Sequence, residues 1–153
     1  MNYIKRIINP TEFNSVIDDL NDLFDEENSK NGHVFLQHNK DSIKNFFSNQ
    51  IILNWDFFVW ASFNGQKYDG IIAFVNEKSV KFNCKLFCEY LWLSKNPKTG
   101  YRLFSEAVKF AREKEYKYIL MSTVVQHPKH EKIKNFYRKM GFLKDSETYI
   151  AKL

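Results

Sequence analysis

Cysteine is nearly absent from this chain: only Cys84 and Cys88 occur in 153 residues. Their spacing inside an apolar segment suits neither a disulfide framework nor a four-ligand zinc site, so a reducing, cytoplasmic setting is expected. Glycine (5) and proline (3) are scarce too, which excludes collagen-like and low-complexity organisation. Long hydrophobic runs are missing. No window approaches the roughly 20 apolar residues of a membrane span, and residues 1–8 alternate polar and apolar instead of forming the core of a signal peptide. A soluble, unexported protein is the expectation.

What the chain has in quantity is aromatic: 15 Phe, 8 Tyr and 3 Trp within a 44% hydrophobic composition, far too rich in core formers for a disordered segment. A chain of this length buries roughly 70% of its unfolded surface without disulfides or metals. One core and one domain, residues 1–153, are expected. The net charge of +5 is unevenly spread, with Asp18, Asp19, Asp22, Asp25, Glu26 and Glu27 close together and most lysines in the second half. An anionic partner fits the basic half. Nucleic acid is not favoured, because zinc spacing, a basic helix with heptads and an RNA-recognition aromatic motif are all missing.

Residues 2–8 read as an opening strand, and Pro10 with Glu12 marks a helix start. Phe13, Val16, Ile17, Leu20, Leu23 and Phe24 recur at helical spacing, predicting one helix that ends within residues 28–32. A shorter helix follows at 41–49, with Ile43, Phe46 and Phe47 inward. The period then changes to that of strands at 55–63, 70–75 and 82–93, separated by turn signals at Asn64-Gly65 and at Asn76-Glu77-Lys78. After a break at 94–100, Leu103, Ala107, Phe110 and Ala111 mark a helix from about Thr99 to Lys114. A strand at 118–125, a helix carrying Ile133, Phe136, Tyr137 and Met140, a left-handed cap at Gly141 and a last strand at 148–153 complete the order.

The strand 82–93, its loop and the following helix form a βα unit whose helix N-terminus offers unpaired N–H groups and partial positive charge. Such an end attracts anions. Gly100 permits close backbone approach, and Lys95, Lys98 and Arg102 add cationic charge, so a pyrophosphate is the natural guest. Relief of crowding at Gly100, with the lysines merely solvated, is the competing explanation.

Strand, loop with glycine and helix resemble the acetyl-CoA-binding motif of the GNAT acetyltransferases, which reads Arg or Gln, two residues, Gly, one residue, Gly or Ala. Counting back from Gly100 puts Lys95 at the basic position and Lys98 at the first glycine; counting forward puts Lys98 at the basic position. Asn135-Phe136-Tyr137-Arg138-Lys139-Met140-Gly141-Phe142 is similar to the family's late helix and turn. The looser glycine motif is similar to that of divergent members found in bacteriophages and their hosts.

The resemblance implies an α/β (α+β) GNAT-like fold: a mixed, mostly antiparallel sheet of about six to seven strands flanked by about four helices. It implies direct transfer of acetyl from acetyl-CoA to a primary amine, with Tyr137 as general acid and Glu89, a carboxylate in an apolar strand, as base. Main-chain groups of Leu91, Trp92 and Leu93 would pair with the pantetheine arm, and Asn96, Thr99, Gly100, Tyr101 and Arg102, with Lys95 and Lys98, would surround the phosphates. His130 stands where the family often has an asparagine that bonds the pantetheine. His127 and His130 lack supporting ligands at metal spacing, so no metal is assigned. The partners implied are acetyl-CoA, an amine acceptor that is a small molecule or a protein, and at most a second copy in a homodimer. The first helices would line the acceptor side, where carboxylates of 18–27 would suit a cationic amine if they face the cleft. A GNAT-like module that binds CoA or assembles with partners without catalysis stays open.

Overall fold

Alternating aromatic and branched side chains on the central strands leave two apolar faces, and each face recruits its own helices. The computed structural model describes residues 3–30, 38–53, 56–79, 83–123 and 128–145. The elements run β1 (Tyr3–Ile7), α1 (Pro10–Asp19), α2 (Asn21–Lys30), α3 (Lys40–Leu53), β2 (Phe57–Phe63), β3 (Tyr68–Ser79), β4 (Cys84–Ser94), α4 (Pro97–Glu113), β5 (Tyr118–Leu120) and α5 (His130–Lys139). The strands form one sheet in the order β1-β2-β3-β4-β5. All neighbours are antiparallel except β4 and β5, which are parallel and joined through α4, because a parallel pair needs a long crossover.

On one face Val59, Ala61, Ile71, Ala73, Leu91 and Leu93 bury against Phe13, Val16 and Ile17 of α1, Phe24 of α2 and Phe47 of α3. On the other, Trp60, Ile72, Phe74 and Phe87 bury against Leu103, Phe104, Ala107 and Ala111 of α4, with Phe136 and Phe142 at the margin. Phe74 and Phe87 stack across β3 and β4 with centroids 4.2 Å apart. Each fully buried side chain of this size is worth about 1.5–3 kcal/mol in transfer free energy.

Several expectations need correction. The single first helix is two, parted at Leu20, which keeps its side chain in the core while its backbone leaves helical geometry (φ −96°, ψ 8°). There, the Asp19 carboxylate at the end of α1 accepts from the Tyr68 amide at 2.9 Å, tying the helix end to β3. That split gives five helices among the described residues instead of four. Asn76-Glu77-Lys78 is not a turn: these residues pair with Phe87, Leu86 and Lys85, so the β3–β4 ladder carries on through polar residues. Helix α3 runs farther than 41–49, and α4 starts at Pro97, with Asn96 as its N-cap, instead of at Thr99. The sheet has five strands among the described residues rather than six to seven; the strand expected at 148–153 lies outside them, as do residues 124 and 125 of the strand expected at 118–125, whose described part ends at Leu120.

Helix α4 reaches the sheet through a gap left by Gly70. A Cβ there would lie 2.8 Å from Thr99 Cγ2, 2.9 Å from Leu103 Cδ1 and 3.3 Å from the Leu93 carbonyl. Gly70→Ala therefore lowers stability by about 1–3 kcal/mol, read as a lower urea midpoint at unchanged m.

Candidate active site

The site begins where two strands part. β4 and β5 pair at Leu86–Tyr118, Phe87–Ile119 and Cys88–Leu120. β4 then continues to Ser94 with no strand beside it on that edge among the described residues. On its other edge the register slips: Ala73 faces Leu91 and Phe74 faces Glu89, so Tyr90 is an extra, bulged residue. A bulge bends its strand and increases the local twist, which turns β4 away from β5 from this point. Tyr90 itself is carried outward, 50% exposed, and stacks on Phe46 of α3 at 5.5 Å.

Glu89 stands at the mouth of this fork, half-buried. Its Oε2 accepts from the Ser122 hydroxyl at 2.8 Å and from the Ser122 amide at 3.2 Å. The Tyr137 hydroxyl, on α5, donates to the Ser122 carbonyl at 2.8 Å. Glu89 and Tyr137 are thus joined through one residue. Burial raises the Glu89 carboxyl above the usual carboxylate range, and the Ser122 hydrogen bonds oppose that shift. Burial also pushes the Tyr137 phenol well above the ordinary tyrosine range, and the Glu89 charge adds to it. A tyrosine so placed keeps its proton at neutral pH and can deliver it to a stronger base; the carboxylate can receive one.

Local sequence explains the placement of Tyr137. Ile133, Phe136 and Tyr137 lie on the inner side of α5, and Tyr137 contacts Phe142 with centroids 5.5 Å apart. Gly141 takes φ +84°, allowing the Phe142 amide to bond back to the Tyr137 carbonyl at 2.9 Å. His130 opens the same helix; its Nδ1 is 3.4 Å from Thr123 Oγ1 and its Nε2 3.8 Å from Glu131. His127 lies outside the described residues.

The start of α4 is less open than the sequence implies. The Asn96 side chain caps it by accepting from the Thr99 amide at 2.9 Å, and the Asn96 carbonyl takes the Gly100 amide at 3.1 Å. Pro97 has no N–H to give. The Lys98 amide is the first-turn donor left without a partner among the described residues. Gly100 is explained by crowding: a Cβ would lie 2.7 Å from Ser94 Oγ, whose hydroxyl donates to the Asn96 carbonyl. Lys95 and Lys98 are exposed at this end, with Arg102 half-buried and Tyr101 edge-on to Phe136. Nearby, the Trp92 Nε1–H is buried without a hydrogen-bond partner among the described residues, held by stacking on Phe104. Leu91 and Leu93 turn their side chains into the core, leaving their main chain on the open edge.

Two residues that the sequence did not mark, Ser122 and Asp69, shape this region. Asp69 is buried, its Oδ2 lies 3.4 Å from Thr99 Oγ1 and its carbonyl accepts from the Lys95 amide. A carboxylate beneath a helix N-terminus is stabilised by the helix dipole. Neither residue sits in a motif, so only the fold reveals them. The acidic stretch, in contrast, is engaged within the protein: Asp18 with Lys44, Asp25 with Lys40 and Glu26 with Lys30. A shallow groove of about 520 Å³ lined by Asn9, Thr11, Glu12, Ser15 and Tyr68 is separate from the Glu89–Ser122–Tyr137 cluster.

Neither a protein-family profile nor a curated protein sequence matches the chain. Solved structures do. The chain is similar to an aminoglycoside acetyltransferase from an uncultured soil metagenomic sample, crystallised with trehalose (14% identity, 99% of this chain and 96% of that one, TM-score 0.67). It is also similar to a predicted acetyltransferase from Clostridium acetobutylicum solved with acetyl-CoA (11% identity, 99% and 96% covered, TM-score 0.71). A third is glucosamine-6-phosphate N-acetyltransferase from Arabidopsis thaliana (12% identity, 99% and 98% covered, TM-score 0.67). The mixed sheet with a forked β4 and β5 is therefore the GNAT fold that the motifs at Gly100 and Tyr137 implied. Among the described residues no helix is long and apolar enough to cross a membrane.

Because Asn96 is the cap of α4, Asn96→Ala costs about 1 kcal/mol of stability. Chemical denaturation checks this, and the loss should be recovered by Asn96→Asp.

Proposed function

We propose that this chain, as one GNAT-type acyltransferase domain over residues 1–153, transfers an acetyl group from acetyl-CoA to a primary amine. The observation that carries the reading is the Glu89–Ser122–Tyr137 cluster at the mouth of the β4–β5 fork, a partly buried carboxylate and a protonated phenol on either side of one residue. Support comes from neighbours of the same fold, one solved with acetyl-CoA and one an aminoglycoside acetyltransferase solved with sisomicin.

The amine nitrogen attacks the thioester carbonyl carbon, forming the C–N bond as the C–S bond breaks. The Glu89 carboxylate takes the proton lost by the amine, directly or through water, and Tyr137 gives its proton to the departing thiolate. The products are an N-acetyl amine and the free thiol of CoA. Proton return from Glu89 to Tyr137 restores both groups, so the step balances without an acyl-enzyme. The pantetheine arm pairs with the open main-chain edge of Leu91, Trp92 and Leu93, and His130 bonds the arm in place of the family's asparagine. The diphosphate rests on the Lys98 amide and the charge of Lys95, Lys98 and Arg102 more than on a row of main-chain donors, and the buried Trp92 Nε1–H is an unfilled donor in that region.

A second reading, a GNAT-like module that binds CoA or a partner without transfer, is favoured by one observation: Asn96 and Pro97 remove amides that a diphosphate would use. A thiol-release assay with acetyl-CoA against small amines, aminoglycosides and peptides separates the two. Acetyl transfer predicts amine-dependent thiol release, with kcat falling about 10²-fold or more in Tyr137→Phe. Heat of CoA binding without thiol release supports the second reading; no binding at modest salt removes both.

The pH dependence has a definite sign. A base must be ionised, and burial raises the Glu89 carboxyl, so kcat climbs with pH through a limb above the ordinary carboxylate range. Tyr137, raised by burial, stays protonated, so no alkaline loss appears before the ordinary phenol range. Glu89→Gln abolishes the acid limb; a limb unchanged in that variant removes Glu89 from the mechanism.

A further inference from the structure

We propose that Ser122 is the positioning residue of the site, fixing the Glu89 carboxylate with its amide and hydroxyl on the residue whose carbonyl seats the Tyr137 phenol. For its kinetic consequences this rests on the acetyl-transfer reading above. Ser122 lies two residues past Leu120, the last paired residue of β5, where β4 has turned away. Beyond the last ladder pair the Ser122 amide has to find another acceptor, which for this exposed residue is water or a side chain. The Glu89 side chain spans the gap instead, accepting that amide at 3.2 Å and the hydroxyl at 2.8 Å. Both donors fall on Oε2. Oε1 carries no hydrogen bond among the described residues, so one oxygen is locked and the other is left to take a proton.

The same residue closes the acid side, because its carbonyl accepts the Tyr137 hydroxyl at 2.8 Å. Base and acid therefore cannot drift separately: moving the Ser122 peptide moves both. Hydrogen bonds to a charged group are shorter and stronger than neutral ones, which explains why a hydroxyl here does more than fill space. It also favours the ionised carboxylate, opposing the larger upward pull of burial. The surrounding ionisable groups leave that role to Ser122. Tyr137 of α5 is a neutral phenol bonded to the Ser122 carbonyl and brings no charge to Glu89. His130 is engaged with Thr123 and Glu131. Glu77 of β3 is turned to Cys88, and the inner face of α4 offers Leu103, Phe104, Ala107 and Ala111.

The test compares wild type, Ser122→Ala and Ser122→Thr by two readouts. Carbon NMR of the Glu89 side-chain carboxyl follows its titration without any turnover. Steady-state thiol release then gives the pH profile of kcat and the KM for acetyl-CoA with the best amine of the panel. In Ser122→Ala, Glu89 should titrate at higher pH, the acid limb of kcat should move up with it, and kcat at pH 7 should fall about tenfold with KM for acetyl-CoA unchanged. Ser122→Thr, which keeps the hydroxyl, should restore both. Coincident titrations in wild type and Ser122→Ala, or failure of Ser122→Thr to restore, overturn the proposal. If wild type releases no thiol with any amine, the transfer reading falls, while the NMR arm still decides whether Ser122 governs Glu89.

Discussion

The parting of β4 from β5 after Cys88 and Leu120 is the constraint on which the rest of the molecule turns. A forked sheet is costly, because backbone groups that would pair with the neighbouring strand are left to find other partners. Three features hold it open. The bulge at Tyr90 redirects β4. The two cores grip that strand from opposite faces, Phe87 on one side and Leu91 and Leu93 on the other. The Glu89 carboxylate meets the Ser122 amide and hydroxyl across the gap. The open edge of β4 is thus part of a rigid frame, which is what an extended ligand arm needs if pairing with it is not to be offset by ordering the protein.

The end of that same strand shows how packing and charge divide the work at a helix start. Gly70 and Gly100 are both there to let α4 sit close, the first against Thr99 and Leu103, the second against Ser94. Asn96 caps, Pro97 presets the first turn, and Asp69 places a carboxylate under the dipole. Each of these stabilises the helix without a ligand. Positive charge at this point therefore comes chiefly from Lys95, Lys98 and Arg102, which lie at or beyond the capped turn. Charge of that kind is screened by salt far more than buried amides are, so the anion seat proposed for this end would depend steeply on ionic strength.

Element order was legible because it follows from periodicity: the switch from helical to strand spacing after α3, and the return to helical spacing after Ser94, both appear where the residues place them. The Tyr137–Gly141–Phe142 turn was legible for a sharper reason, since only a residue without a Cβ takes φ +84° comfortably at a helix end. Misreadings have physical causes. Asn76, Glu77 and Lys78 have poor strand propensity, yet partner residues on β4 keep the ladder going. Leu20 fits the apolar spacing of one long helix, and the break arises from a tertiary bond between Asp19 and the Tyr68 amide. Ser122 carries no local signal at all; it matters only because the fold brings Glu89 and Tyr137 to its two sides.

The acidic stretch at the start of the chain shows how a suggestive composition can be used up by architecture. Six carboxylates within ten residues look like an attractant for a cationic acceptor, but they sit on the two helices that must be fastened to α3 and β3. Asp18 and Asp25 meet Lys44 and Lys40 of α3, and Asp19 meets a main-chain amide of β3. Exposed ion pairs contribute only about 0–1 kcal/mol each, so the apolar residues Phe13, Val16, Ile17 and Phe24 provide the adhesion. What the pairs add is register: a lysine opposite each of two carboxylates discourages α3 from sliding along α1 and α2, and the Asp19 bond sets where α1 stops. That register matters at the site, because α3 carries Phe46 and Phe47, which rest against the bulged Tyr90. Charge on the outer helices thus reaches the fork through the aromatic contact behind it.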